Sequence, residues 1–160
     1  MVIEIPELMF YPKGPDVLCQ LPYPGHRKGC PNYGKKAGCP PNYPRFPDRF
    51  DLSKPVYAIV NEFDLGDHVR RMKLRHPKWS DRQLRCCLYW QGKARSHLRA
   101  KVAAFLVNHP DCIAEFCAEA AGVNLTGTLR KIGIRLEWPP RKIVRQIALA
   151  GTPRGKTCPA

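Results

Sequence analysis

The strongest hydrophobic run in the chain is Pro-Val-Tyr-Ala-Ile-Val-Asn-Glu-Phe at 55–63. It is short, rich in β-branched and aromatic residues, and bounded by proline and Asp64, so it predicts a buried strand. Leu65–Arg75 comes next as a short helix that ends at His76-Pro77. Ser80-Asp-Arg-Gln83 is a capping-box start. From it the pattern predicts one helix to about Val107, stopped by Asn108-His109-Pro110. Leu84, Leu88, Leu98, Val102 and Phe105 mark its apolar stripe at three- and four-residue spacing. Gly92 is a weak point or a close-packing position. Residues 111–133 hold a short Cys-bearing segment and then a helical piece at 125–132, with Gly133 placed as its stop. Residues 136–140 connect to a second strand at 143–150, closed by Gly151. No internal repeat is present. Strand, helices and strand predict an α+β arrangement: a small sheet with packed helices and an irregular Pro/Cys-rich N-terminal metal lobe.

That lobe is residues 1–54, where ten of the 17 prolines lie. Proline fixes φ and donates no backbone hydrogen bond, which disfavours helices and central strands. So long an irregular stretch needs something other than backbone ladders to order it, and a metal is the economical candidate. The lobe is expected to form one compact domain with an α+β body at 55–151, followed by a flexible tail at 152–160.

Composition narrows the setting. No apolar run approaches eighteen residues, so a membrane span is not expected. The start Met1-Val-Ile-Glu-Ile-Pro6 lacks a basic region and a long apolar stretch, so a secretory signal is not expected either. The expected location is cytoplasmic, where thiols stay reduced, and eight Cys then point to metal binding or catalysis rather than disulfides. Several Cys are expected to be plain buried hydrophobes. Cys86 and Cys87 are adjacent and point apart, and Cys158 sits in the tail.

Cys19, Cys30 and Cys39 are the candidate metal ligands. Their spacing matches neither a zinc finger nor a ferredoxin run. Their context is more telling: Gly29-Cys30-Pro31 and Gly38-Cys39-Pro40-Pro41. Glycine lets the backbone bend close to a ligand group, and the following proline keeps the chain out of helix. Soft thiolates held in such loops favour an iron–sulfur cluster or zinc.

The segment Cys30-Pro-Asn-Tyr-Gly-Lys-Lys-Ala-Gly-Cys-Pro-Pro41 resembles a family of predicted metal-binding proteins, domain of unknown function 2284, whose members share a Cys, a Tyr-Gly pair and a Cys-Pro-Pro. A second stretch, Glu119-Ala-Ala-Gly-Val-Asn-Leu-Thr-Gly-Thr-Leu-Arg-Lys-Ile-Gly-Ile134 with Glu137-Trp138, is similar to that family's late helix segment. Together they cover roughly a quarter of the chain, and such matches are hypotheses until their structural context is known. The family usually carries a further ferredoxin-like group of Cys between these landmarks. Here residues 82–101 occupy the interval with only Cys86 and Cys87, a departure that stands against a two-cluster relay. The resemblance implies a metal and no particular reaction. Cys117 is the first choice for a fourth ligand, because it lies just before the second familiar segment. Cys112, His26, or no fourth protein ligand are the alternatives, and a three-thiolate cluster would leave one iron open.

Charge supplies the second theme. The formal net charge is +14. Residues 65–101 carry eleven Lys and Arg against only Asp67 and Asp81. A solvated helix face normally mixes signs, so this excess implies a negatively charged partner. Arg70, Arg71, Arg82, Arg85, Arg95 and Arg99 are the candidate phosphate contacts. Trp79, Tyr89 and Trp90 lie among them and either stack on exposed bases or pack in the core. RNA or single-stranded DNA is the expected partner; a membrane surface is disfavoured, and a protein partner is possible. The chain has no Walker loop, Gly-x-Gly-x-x-Gly, His-Glu-x-x-His or Gly-x-Ser-x-Gly motif. The leading expectation is one [4Fe-4S] cluster on Cys19, Cys30, Cys39 and Cys117 beside a nucleic-acid-binding helical face. The alternatives are an iron–sulfur enzyme for sulfur or electron transfer, and a zinc-stabilised interaction module.

Overall fold

A computed structural model describes residues 1–22 and 26–155, without the side chain of Asp16. Cys158 and the end of the expected tail lie outside the described residues. Four strands, β1 (Val2–Ile5), β2 (Val56–Asp64), β3 (Ile113–Glu115) and β4 (Ile143–Gly151), form one antiparallel sheet in the order β1-β2-β4-β3. The helices are α1 (Asp16–Gln20), α2 (Phe46–Arg49), α3 (Leu65–Arg75), α4 (Asp81–Leu84), α5 (Gln91–Asn108) and α6 (Leu125–Lys131). The α+β architecture therefore stands, as a four-strand antiparallel sheet with helices packed on it. No helix among the described residues is long and apolar enough to cross a membrane.

Side chains alternate across a strand, and here both faces are covered. On β2, Val56, Ala58 and Val60 point to one side, where Phe46, Phe50, Ala121, Val123, Leu125, Leu129 and Leu149 complete a core. Ile59 points to the other, against Leu98, Val102 and Phe105 of α5. The sheet thus lies between α5 and a layer built from the N-terminal lobe, α2 and α6. The register sets this division: Ala58 stands opposite Leu149 and Ile59 opposite Ala148, so residues of like direction meet across the ladder.

The lobe is less irregular than its prolines predict. It opens with β1, an edge strand on β2, and holds the short helices α1 and α2. Much of its order comes from backbone stitches to residues 117–128. Tyr11 N–H donates to Gly122 O (3.0 Å), Asn124 N–H to Met9 O (2.7 Å) and Phe46 N–H to Ala121 O (2.9 Å).

The single helix expected from Ser80 to Val107 is broken. The capping box forms as expected, with Ser80 and Gln83 bonding each other reciprocally, but α4 ends at Leu84. A 3-10 turn at Cys87–Tyr89 then leads into α5. The cause is Trp90. Its indole is buried, stacks on Phe63 at 5.1 Å and donates to Arg85 O at 3.2 Å. Leu84 and Trp90 are both buried, although residues six apart stand about 120° apart around one continuous helix. The turn changes that angle. Leu88, expected in the apolar stripe, is instead 85% exposed.

Candidate thiol site and basic face

The strand β3 has no counterpart in the sequence-based expectation, and it positions both Cys112 and Glu115. Cys112 and Ala114 face α5, and Cys112 is buried there among Ile59, Val102 and Phe105. Burial pushes the Cys112 thiol up, so it behaves as a core hydrophobe. Glu115 points the other way, into the lobe-side core, and is 1% exposed.

A carboxylate in that position needs partners, because a buried unpaired charge is strongly unfavourable. Glu115 has three. The Tyr43 hydroxyl donates to it at 2.8 Å, Arg49 Nη1 donates to Oε2, and Cys117 N–H donates to Oε1 at 2.6 Å. Arg49 also donates to the Tyr43 hydroxyl at 3.3 Å and lies near the Phe50 ring. Two lobe residues and the backbone of Cys117 are thereby fixed around one anion. Burial, the bond to Glu115 and its charge push the Tyr43 phenol up to about 12, with Arg49 opposing.

The thiols stand in two neighbourhoods. Cys30 N–H donates to Cys19 O at 2.7 Å, and both residues line one cavity with His26. Gly29 makes this approach possible. Its φ is +81°, and a Cβ there would lie 2.4 Å from Cys19 O. Gly38, which the sequence suggested for the same role, has open space around it. The second neighbourhood joins Cys39 and Cys117. Burial, the Glu115 charge and the Cys39 thiolate all push the Cys117 thiol up, while Arg95 on α5 pulls it down. Cys39 and Cys117 are 78 positions apart by number, yet the charge of one acts on the thiol of the other.

A metal would need three or more of these donors around one point. Among the described residues no group of three or more His, Cys, Asp or Glu is placed to hold a metal ion. The chemistry of the donors suits a soft metal, but among the described residues their placement gives no complete shell. Cys86 is half-buried and Cys87 exposed at the 3-10 turn. Three of the histidines are in ring contacts, with His68 buried beside Phe63, His76 stacked on Trp79 and His109 stacked on Phe105, while His97 is exposed on α5.

The basic residues sort by what they touch. Arg70 and Arg71 both pair with Asp67, in exposed contacts of small energetic weight. Arg85 is a strut: Nε bonds Asp81 at 2.9 Å and Nη1 donates to Arg141 O at 3.0 Å. Arg82, Arg95 and Arg99 are exposed, and none of them pairs with a carboxylate among the described residues. Arg95 and Arg99 are one helical turn apart on one flank of α5, and Lys93, His97 and Lys101 line the other flank. Of the three aromatics, Trp90 is core, whereas Tyr89 is 54% exposed.

Glu115 also produces a pH effect. The folded state holds the Tyr43 proton to about 12, above the ordinary 10.0 of an unfolded chain. Its contribution to stability is present in full below the lower value and is lost as pH rises through the window between them. Tyr43→Phe should flatten the fall of the urea midpoint across that alkaline window. An unchanged slope would show that Tyr43 is not held in this way.

No family profile matches the chain, and neither does any curated protein or solved structure with which it was compared. The resemblance to the predicted metal-binding family rests on its two motif stretches alone.

Proposed function

We propose that this protein binds nucleic acid through the basic surface of residues 65–101. The observation that carries the reading is the run of exposed cations without carboxylate partners among the described residues, Arg82, Arg95 and Arg99 with Lys93 and Lys101. An excess of like charge held on a rigid helix repels itself, and a polyanion relieves that repulsion. Arg70 and Arg71 can exchange their exposed pairing with Asp67 for phosphate at little cost. Arg85 contributes by holding α4 in position rather than by direct contact. RNA or single-stranded DNA is the favoured ligand, because the exposed Tyr89 ring and the half-buried Trp79 ring beside it lie among the cations.

Binding should weaken steeply with salt, since the displaced counterions drive it. Replacing Lys93, Arg95, Arg99 and Lys101 by Gln should reduce the salt slope by roughly 2–3, because each phosphate neutralised on a single strand accounts for about 0.7 of it. Fluorescence anisotropy of a labelled oligonucleotide over a salt series measures this. Salt-independent affinity would refute the reading.

A second reading concerns the lobe. The thiol chemistry of the lobe, with the backbones of Cys19 and Cys30 bonded to each other, supports a soft metal held by thiolates, a [4Fe-4S] cluster first and zinc second. Such a centre would order the Pro-rich chain and join its two thiol neighbourhoods. An enzyme for sulfur or electron transfer has no support beyond this. Anaerobically prepared protein should contain iron and absorb broadly in the visible, and Cys30→Ser and Cys117→Ser should each bleach it. Colourless protein with one equivalent of zinc selects the zinc module. Protein without either metal removes the reading.

A further inference from the structure

The aromatic residues of the basic segment form a feature that the arginines alone do not explain. The ring of His76 stacks on Trp79 with centroids 4.0 Å apart and planes 9° from parallel. Tyr89 continues the run, 5.1 Å from Trp79, and remains 54% exposed. The run therefore ends in an open ring face or edge at the surface. Beside it, a groove of about 600 Å³ opens between α3 and α4, with Val69, Leu74, Trp79 and Leu84 among its lining. Leu74 is 82% exposed, and Leu88 next to Tyr89 is 85% exposed. Together these side chains leave apolar and aromatic surface open beside the basic residues.

The rim of the groove decides what fits. Arg70 and Lys73 line it, and Lys73 Nζ donates to the backbone oxygen of Trp79 at 3.2 Å, which sets the ammonium against the indole's own chain. Asp81 is the acidic member of the lining, and its carboxylate is bonded by Arg85. The site thus offers rings and aliphatic carbon inside and positive charge at the edge. A nucleotide chain has the complementary distribution, with flat π-faced bases joined by anionic phosphates. In a duplex those faces are hidden in the stack; in a single strand they are free.

We propose that the His76–Trp79–Tyr89 ring run and the adjoining α3–α4 groove form a base-stacking platform, so that the protein prefers single-stranded over duplex nucleic acid. This deepens the nucleic-acid reading and rests on it. Bases stack on the ring run and fill the groove, while Arg70 and Lys73 meet the flanking phosphates. Trp90, which the sequence grouped with these rings, has no part, because it is buried under Phe63.

The test uses the full chain with oligo-U, oligo-dT and a duplex of equal length at one salt concentration. Tryptophan fluorescence should change on adding either single strand and not on adding duplex, and that change should be absent in Trp79→Leu. Single-strand affinity should fall roughly 5- to 150-fold in Trp79→Leu, and at least about 5-fold in Tyr89→Ala, with duplex affinity unchanged. Tyr89→Ala removes an exposed side chain, so it decides the matter if Trp79→Leu does not fold. Equal affinity for single strand and duplex, unaltered by either variant, would overturn the platform and leave the basic-face reading intact. No binding of any oligonucleotide would overturn both. A groove occupied by an acidic peptide while Trp79 ignores single strands would also overturn the platform.

Discussion

The Glu115 carboxylate is the constraint on which the arrangement of the lobe depends. It is almost wholly sealed from solvent at the end of a three-residue strand. A charge in that position is tolerable only while Tyr43, Arg49 and the Cys117 amide surround it. Tyr43 comes soon after the Cys39-Pro40-Pro41 loop in sequence, and Arg49 ends α2. The anion therefore draws the proline-rich chain onto the sheet and sets Cys117 beside Cys39. Backbone bonds from Met9, Tyr11 and Phe46 to residues 117–124 then close the layer.

Two features of different chemistry result. The lobe presents several thiols, and Gly29 makes the backbone approach of Cys30 to Cys19 sterically possible. The segment from α3 to α5 presents a surplus of exposed cations, with an aromatic run beside them. Arg95 connects the two, since it lies on α5 and its charge reaches the Cys117 thiol. A metal-ordered lobe would thereby fix the position of residues adjoining the basic flank of α5.

The elements legible in the sequence are those with their own periodicity or cap. β2, α3, α6 and β4 are marked by runs bounded by Pro, Gly or a cap, and the Ser80 capping box forms as expected. Features that depend on distant partners are not legible there. β3 is three residues long and exists because β4 offers an edge. β1 lies within a stretch dominated by prolines and is fixed by β2. The break before α5 comes from Trp90 finding Phe63, which no local pattern encodes. Cys117 stands out in the sequence only by its neighbourhood, and the structure brings it near Cys39. Glu115 does not stand out at all, because a single Glu becomes a hub only when residues 72 and 66 positions away meet it. The alternation of Cys112 and Ala114 with Ile113 and Glu115 is the one local sign of it.

Hydrogen exchange resolved by residue, compared between the native chain and Glu115→Ala, tests the role of this carboxylate most directly. The account predicts that protection collapses selectively at the amides of Tyr11, Phe46, Cys117 and Asn124, while the β2–β4 ladder and α5 keep theirs. Unchanged protection at those four amides would contradict it, since the lobe would then be held to the sheet by something else.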